Sequence, residues 1–162
     1  MPMYLPEILF VIVLGTLMHF MYNWSGKHPF AGLIAPVNES VWEHMKLLFF
    51  PMLLTGLWLL RHETDPCRIS AFHAGLLLGT GLTAGIHYAY VKALGQSYLI
   101  LDIADFILSV FLAFGFFRFF SSSCLLGKLS PITSIAVFLM LICFFIFTYH
   151  PPDWPIFQEP AK

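Results

Sequence analysis

Apolar stretches separated by short polar segments dominate the chain. Five of them have the length of a membrane-crossing helix, and they run over residues 5–22, 41–60, 69–90, 98–120 and 132–149. A helix needs about 20 apolar residues to cross the hydrocarbon core of a bilayer. The pattern therefore predicts an all-α fold. We expect a polytopic integral membrane protein, a bundle of five transmembrane helices that forms a single membrane domain over 1–162.

The composition points to the same class of protein. Hydrophobic residues make up 59% of the 162 residues and charged residues only 10%, with a mean hydropathy of +0.81. A soluble domain carries about 25% charged residues. A chain so poor in charge cannot cover a water-exposed surface, which excludes a soluble enzyme and a disordered tail. The net charge of −1 leaves no basic face for phosphates. We therefore expect a lipid bilayer as partner and no nucleic acid.

Two features within the stretches predict how the helices pack. Pro51 lies inside the second stretch, where it cannot donate to the carbonyl of Leu47 and is expected to kink the helix. The third stretch carries small residues at four-residue spacing, namely Ala71, Gly75, Gly79 and Thr83. Such ridges let helices approach closely, either within the chain or in a homo-oligomer that uses Gly75 and Gly79.

An odd number of crossings assigns each loop to one of two sides of the membrane. Side one holds the N-terminus and the loops 61–68 and 121–131. Side two holds the loops 23–40 and 91–97 and a tail, 150–162, that is rich in proline and aromatic residues. Tryptophan and tyrosine favour the headgroup layer, so we expect this tail to lie along the membrane surface.

Two signals bear on the orientation. Basic residues are slightly more frequent on side one, which the positive-inside rule places in the cytoplasm. Cys67 and Cys124 lie on the same side, where a reducing cytosol would keep them as thiols. Three cysteines give neither a metal-binding spacing nor a disulfide framework. We therefore expect a protein of the cytoplasmic membrane with its N-terminus inside and its C-terminus outside.

Ionisable residues collect near side two, several of them a turn or more inside an apolar stretch. Such residues usually face the bundle interior, pair with one another and mark function. We therefore predict a polar pocket just below side two. Its candidate metal ligands are His19, His44, His87 and Asp102. Its candidate catalytic bases are Glu39 and Glu43, which helical spacing places on one helix face. Residues that would complete the pocket, or serve only its structure, are Asn38, Ser40, Trp42, Lys46 and Asp105.

The segment 38–46 also has a purely structural interpretation. Ser40 and Glu43 match a capping box, in which each side chain accepts from the other residue's backbone N–H. Trp42 would then be an interfacial anchor, and Lys46 would pair with Glu43. The metal interpretation relies on neutral imidazole and carboxylate, an ordinary ligand set for zinc or another divalent metal. No H-E-x-x-H spacing is present, so a metal site would have to be assembled across helices.

Several segments resemble an uncharacterised family of small bacterial multi-pass membrane proteins, a domain of unknown function. These segments are His19–Gly26, Ala35–Pro51 with its Asn-Glu-Ser-x-Trp-Glu-His run, Leu101–Ile103 and Phe147–Pro152. The resemblance implies a membrane fold and no particular activity. It favours the following residues over His87 as the essential ones: His19, Glu39, Glu43, His44 and Asp102.

A looser similarity concerns only Asn38–His44. This run is similar to one in the membrane hydrolase superfamily of alkaline ceramidases and progestin/adipoQ receptors. Those proteins bind zinc through histidines and an aspartate. They have seven spans rather than the five predicted here.

Three functions fit the predicted pocket. The first is a membrane-embedded, metal-dependent hydrolase of a lipid-like substrate, in which the metal lowers the pKa of a bound water to about 7. The second is a small transporter or ion-binding protein, and the third is a structural or partner-binding membrane subunit. The chain shows neither a nucleophile elbow nor a phosphate-binding loop, so the sequence does not support a serine hydrolase or a nucleotide-binding protein.

Overall fold

The computed structural model describes residues 4–159, and within them every regular element is a helix. Six α-helices follow one another: α1 (Leu5–Trp24), α2 (Pro29–Ile34), α3 (Val41–Leu59), α4 (Pro66–Leu94), α5 (Leu99–Ser123) and α6 (Ser130–Tyr149). Short 3-10 helices cover Gly127–Leu129 and Pro155–Phe157. The prediction of an all-α fold is confirmed.

Each of the five predicted stretches forms a long helix, and four of these helices are long and apolar enough to cross a membrane. The four candidate spans are Leu5–Trp24, Pro66–Leu94, Leu99–Ser123 and Gly127–Tyr149. The second predicted stretch, 41–60, corresponds to α3, which is not among them. Its first turns carry Glu43, His44 and Lys46, and these polar residues lower its mean hydropathy.

Helix α3 lies at the centre of the bundle, where it contacts α1, α4 and α5. Its first half is buried almost without interruption from Val41 to Met52. Glu43 is 2% exposed and Lys46 is fully buried. The polar start of α3 is therefore shielded by other helices, and only its second half presents apolar side chains outward, at Leu54, Leu57 and Trp58.

Side-chain contacts gather the helix ends into two groups. At one end, His19 of α1 stacks on His44 of α3, and Lys46 of α3 donates to Thr148 of α6. His87 near the end of α4 meets Asp102 at the start of α5. We call this end the site end. The opposite end, where α4 begins and α5 finishes, we call the disulfide end.

The small-residue ridge of α4 packs within the chain. A Cβ added to Gly75 would lie 2.6 Å from the Ala113 carbonyl oxygen of α5, and one added to Gly79 would meet the Ala113 side chain. Ala71 and Thr83 of the ridge are also buried. The close approach of α4 to α5 therefore depends on these two glycines.

Helix α1 approaches α3 at a second glycine contact. A Cβ added to Gly15 would collide with the Leu47 carbonyl oxygen. Pro51 cannot donate to that carbonyl, and α3 nevertheless continues through Pro51 without a break. The carbonyl left without its helical donor thus lies against Gly15 of α1, and the next turn of α1 carries His19.

The expectation that Cys67 and Cys124 remain thiols, with no disulfide in the chain, is wrong. The two residues form a disulfide with their Cα atoms 5.0 Å apart, and Cys143 is the free cysteine. The bonded cysteines are separated by 57 positions, so sequence spacing alone could not reveal that the start of α4 lies beside the end of α5. Gly127 packs against the disulfide, because a Cβ added to it would lie 2.9 Å from Cys67 Sγ and 3.0 Å from Cys124 Sγ. The cysteines therefore no longer support placing side one in the cytoplasm.

The described part of the C-terminal tail folds back onto the bundle. Phe157 is buried, and its ring lies 4.9 Å from that of Trp42 and 5.4 Å from that of Phe147, measured between centroids. Trp154 remains exposed. The tail thus covers the start of α3, and its last three residues, 160–162, lie outside the described residues.

Candidate metal centre

Three potential metal ligands converge at the site end of the bundle. His19 comes from the second half of α1, Glu39 from the link before α3, and His44 from the first turn of α3. One ligand atom of each residue lies within 4.8 Å of those of the other two. The structure therefore brings together two imidazoles and one carboxylate from separate parts of the chain.

The local fold around Ser40 orients His44. Ser40 caps α3, because its hydroxyl oxygen accepts from the backbone N–H of Glu43 at 3.4 Å. The backbone N–H of Ser40 donates to Asn38 Oδ1 at 3.0 Å, which fixes the chain just before the helix. The carbonyl of Ser40 lies 3.0 Å from His44 Nδ1, so in the neutral ring that nitrogen is the donor. Nε2 then carries the lone pair, and it points towards Glu39.

Glu39 completes a pair with His44 at the edge of the bundle. Glu39 Oε2 lies 3.3 Å from His44 Nε2, and the two side chains are 63% and 35% exposed. The pair is thus reachable from outside while its inner face rests on the bundle. Such accessibility is needed for any exchangeable ligand.

His19 supplies an unsatisfied nitrogen. Its ring stacks on His44 with centroids 5.4 Å apart and planes 29° apart. Its Nδ1 atom is buried and has no hydrogen-bond partner in residues 4–159. Buried polar atoms are nearly always paired, so an unpaired imidazole nitrogen beside a second histidine and a carboxylate is a position where a bound ion would complete the pairing.

The spacing of the three groups fits a small divalent ion. Zinc binds histidine nitrogen and carboxylate oxygen at about 2.0–2.2 Å, in tetrahedral geometry. Two ligand atoms at a tetrahedral ion are then about 3.4 Å apart. The separation between His44 and Glu39 already has this value, at 3.3 Å. The ligand atom of His19 lies within 4.8 Å of the other two, and metal binding would draw it closer.

His87 and Asp102 form a second polar group at the site end. His87 Nδ1 lies 2.9 Å from Asp102 Oδ1, and the Tyr90 hydroxyl donates to the same oxygen. The Asp102 carboxylate also acts electrostatically on His44. The four predicted ligands thus divide into two pairs, His19 with His44 and His87 with Asp102.

Glu43 has a partner other than the histidines. Its Oε2 atom accepts from Lys46 Nζ at 2.6 Å and from the backbone N–H of Val37 at 2.9 Å. Lys46 Nζ donates further to the carbonyl of Gly32 at 3.0 Å and to the hydroxyl of Thr148 at 2.6 Å. This buried network ties α2 and α6 to α3. It leaves Glu39, not Glu43, as the carboxylate beside the histidines.

The expectation that Glu39 and Glu43 share one helix face is wrong. The helix begins at Val41, after the Ser40 cap, so Glu39 lies outside it. The capping box is also only half formed, because the Glu43 side chain bonds to Val37 instead of the Ser40 N–H.

The remaining predicted pocket residues have structural surroundings. Trp42 is buried against Phe144 and Phe157 rather than exposed at an interface. Asp105 is buried and accepts from the Ser109 hydroxyl, one turn further along α5, at 3.1 Å. Thr148 and Tyr90 were not predicted. Tyr90 follows His87 by three positions, so helical spacing could have indicated it, whereas Thr148 had no such signal.

The similarity of this chain to known proteins extends over nearly its whole length. A model of a family of unknown function, DUF6512, matches residues 3–162. The chain belongs to the DUF6512 family. The expected resemblance to an uncharacterised family is thereby confirmed, while the similarity to alkaline ceramidases is not shown. No curated protein and no solved structure matches the chain. Membership in DUF6512 assigns no activity, so the function has to be argued from the site itself.

Proposed function

We propose that the protein is a membrane-embedded, metal-dependent hydrolase that acts on a lipid-like substrate. Its metal, zinc or a similar divalent ion, would be held by His19, Glu39 and His44. The observation that carries the proposal is the convergence of these three ligand atoms within 4.8 Å of one another. The unpaired, buried Nδ1 of His19 adds to it.

The ligand set favours a catalytic ion over a structural one. Structural zinc sites have four protein ligands, whereas catalytic sites use three and keep the fourth position for water or substrate. Two histidines and one glutamate are a known catalytic combination. The exposed fraction of Glu39 leaves room for a fourth ligand from outside. When bound, the ion would supply a water that loses its proton near neutral pH.

The second polar pair has a chemical use in such a reaction. Asp102 holds His87 through Nδ1, at 2.9 Å, which leaves the other ring nitrogen to accept a proton. His87 is therefore our candidate proton acceptor, with Asp102 and Tyr90 as the groups that position it. Glu39 is then assigned as a ligand, and Glu43 as a structural residue paired with Lys46.

A lipid-like substrate is favoured by the surroundings of the site. Large apolar side chains are exposed around the site end, among them Trp24, Phe30, Leu99 and Ile100. In a bilayer, such a rim belongs at the interface, where tryptophan is favoured. The bonds that join acyl chains to headgroups lie at the same depth. Transporters usually place their sites near the bilayer midplane instead.

Metal content tests the first half of the proposal. We expect about one zinc per chain in protein purified in detergent without chelator. His44→Ala and His19→Ala should each lower the zinc content severalfold, and Glu39→Gln should lower it less. His150→Ala is the matched control, since His150 is exposed and outside the cluster. Metal-free wild-type protein that takes up no added zinc would overturn the proposal.

Hydrolysis tests the second half. Purified protein in mixed micelles would be offered fluorogenic lipid esters and amides, with and without zinc. We expect zinc-dependent release that His44→Ala abolishes and that His150→Ala retains. His87→Asn should retain the metal but lower the rate. If the zinc-loaded protein hydrolyses neither the esters nor the amides, the protein binds metal but is not the proposed hydrolase.

A further inference from the structure

A groove of about 270 Å³ lies between the second half of α3 and the first half of α4, at the disulfide end. Its apolar walls are formed by Leu53, Gly56, Leu57, Leu60, Ile69 and Phe72. It opens sideways, because Leu57 is 67% exposed whereas Phe72 is buried. From Leu53 to Leu60 the helix rises about 10 Å. In a membrane bundle, an apolar groove of this length and side opening is suited to an acyl chain.

The mouth of this groove is polar. Arg61 lies in the turn after α3 and lines both the groove and a second hollow of about 300 Å³. The other residues of that hollow are Trp58, Leu59, His62 and Glu63. Trp58 is 60% exposed, and an exposed tryptophan near a helix end favours the headgroup layer. The apolar and polar hollows therefore meet at the Arg61 guanidinium.

Arg61 is available to an outside anion. It makes no hydrogen bond or ion pair with any residue in 4–159. The one acid at the mouth, Glu63, already pairs with Arg68 at 2.9 Å, between Nη1 and Oε2. The other oxygen of Glu63 accepts from the backbone N–H groups of Thr64 and Asp65. The planar guanidinium matches the geometry of a phosphate group.

We propose that this groove is a lipid-binding site distinct from the metal centre. It takes the acyl chain of a phospholipid between α3 and α4, with the lipid phosphate on Arg61 and the headgroup in the hollow beside Trp58. The charge complementarity of an unpaired arginine at the open end of an apolar groove identifies the occupant as a phosphate-bearing lipid. The site lies at the opposite end of the bundle from His19 and His44 and does not depend on the proposed hydrolase activity.

Native mass spectrometry of the full chain in detergent tests this site. The protein would be titrated with three lipids of identical acyl chains: phosphatidylglycerol, phosphatidylcholine and diacylglycerol, which has no phosphate. We expect saturable binding of one phosphatidylglycerol and at least tenfold weaker binding of diacylglycerol, since a charge-assisted contact contributes about that factor. Arg61→Gln should weaken phosphatidylglycerol about tenfold and leave diacylglycerol unchanged.

Matched variants separate the groove from general lipid adhesion. Arg118→Gln removes an exposed arginine that does not line the groove, and it should bind like the wild type. Leu57→Trp fills the groove from an exposed position and should weaken all three lipids. Leu54→Trp, on the same helix but outside the groove, should not. Equal binding of the three lipids, or an effect of Arg118→Gln as large as that of Arg61→Gln, would overturn the proposal.

Discussion

Gly15 of α1 lies directly against the backbone carbonyl of Leu47 in α3, the carbonyl that Pro51 leaves without a helical donor. This contact sets the distance between the two helices one turn before His19. The proximity of His19 to His44 therefore depends on a residue with no side chain.

Gly15→Ala is expected both to destabilise the protein and to weaken the proposed metal site. The added methyl group would overlap the Leu47 carbonyl, which cannot rotate away, and the Phe106 ring. Overpacking of this kind costs about 1–3 kcal/mol. We expect a lower denaturation midpoint in detergent and lower zinc affinity. Gly85→Ala is the control, because a Cβ there meets nothing within 4 Å. A variant at Gly15 with wild-type stability would show that α1 does not pack on α3 as described.

Breaking the buried pair of Glu43 and Lys46 should be costly, whereas replacing both residues should be less so. Glu43→Gln leaves the fully buried ammonium of Lys46 without its counter-charge, and removing one partner of a buried pair typically costs about 3–5 kcal/mol. The double variant, Glu43→Gln with Lys46→Met, no longer contains the unpaired buried charge. Its loss of stability should therefore be smaller than the sum of the losses in the two single variants. Denaturation midpoints of the four proteins give the coupling.

A surface pair serves as the comparison for this cycle. Arg68 and Glu63 lie 2.9 Å apart, and their side chains are 43% and 18% exposed, so water reaches this pair far more than the pair of Glu43 and Lys46. Exposed pairs contribute at most about 1 kcal/mol, so Arg68→Gln should change the midpoint little. If Glu43→Gln is as mild as Arg68→Gln, the ammonium of Lys46 is not confined as described, and the network does not hold α2 and α6 on α3.

The disulfide is expected to stabilise the fold measurably. Cys67 and Cys124 are 57 positions apart, and a cross-link over a loop of that size contributes about 4 kcal/mol in the chain-entropy model. Replacing both by serine should lower the denaturation midpoint, and reductant should lower that of the wild type equally. Cys143→Ser should have little effect, since Cys143 is free. Three titratable thiols in unreduced, denatured wild-type protein, instead of one, would contradict the bond.

Long-range contacts mark the limit of what the sequence could predict. The existence of α1 and α3–α6 follows from hydropathy, because each is an apolar stretch of sufficient length, whereas the six residues of α2 are too few to give such a signal. Which of the two acids lies beside the histidines depends on where α3 begins. Because Ser40 caps the helix, Glu39 precedes it and faces His44, whereas Glu43 lies in its first turn and pairs with Lys46. Helix boundaries are the least certain part of such a prediction.

We expect side one to face an oxidising compartment, so that the N-terminus lies outside and the proposed metal centre faces the cytoplasm. Disulfides persist in oxidising surroundings and are rare in the cytosol, and the Cys67–Cys124 bond lies on side one. The small excess of basic residues favours the opposite orientation. Thr64→Cys and Gln96→Cys place single reporters in exposed loops on the two sides, each in a Cys143→Ser background. In intact cells, a membrane-impermeant maleimide should label the cysteine at position 64. It should label the cysteine at position 96 only after the membrane has been permeabilised. Labelling in the reverse order would place the metal centre outside, and would mean that the bond forms against the redox state of its compartment.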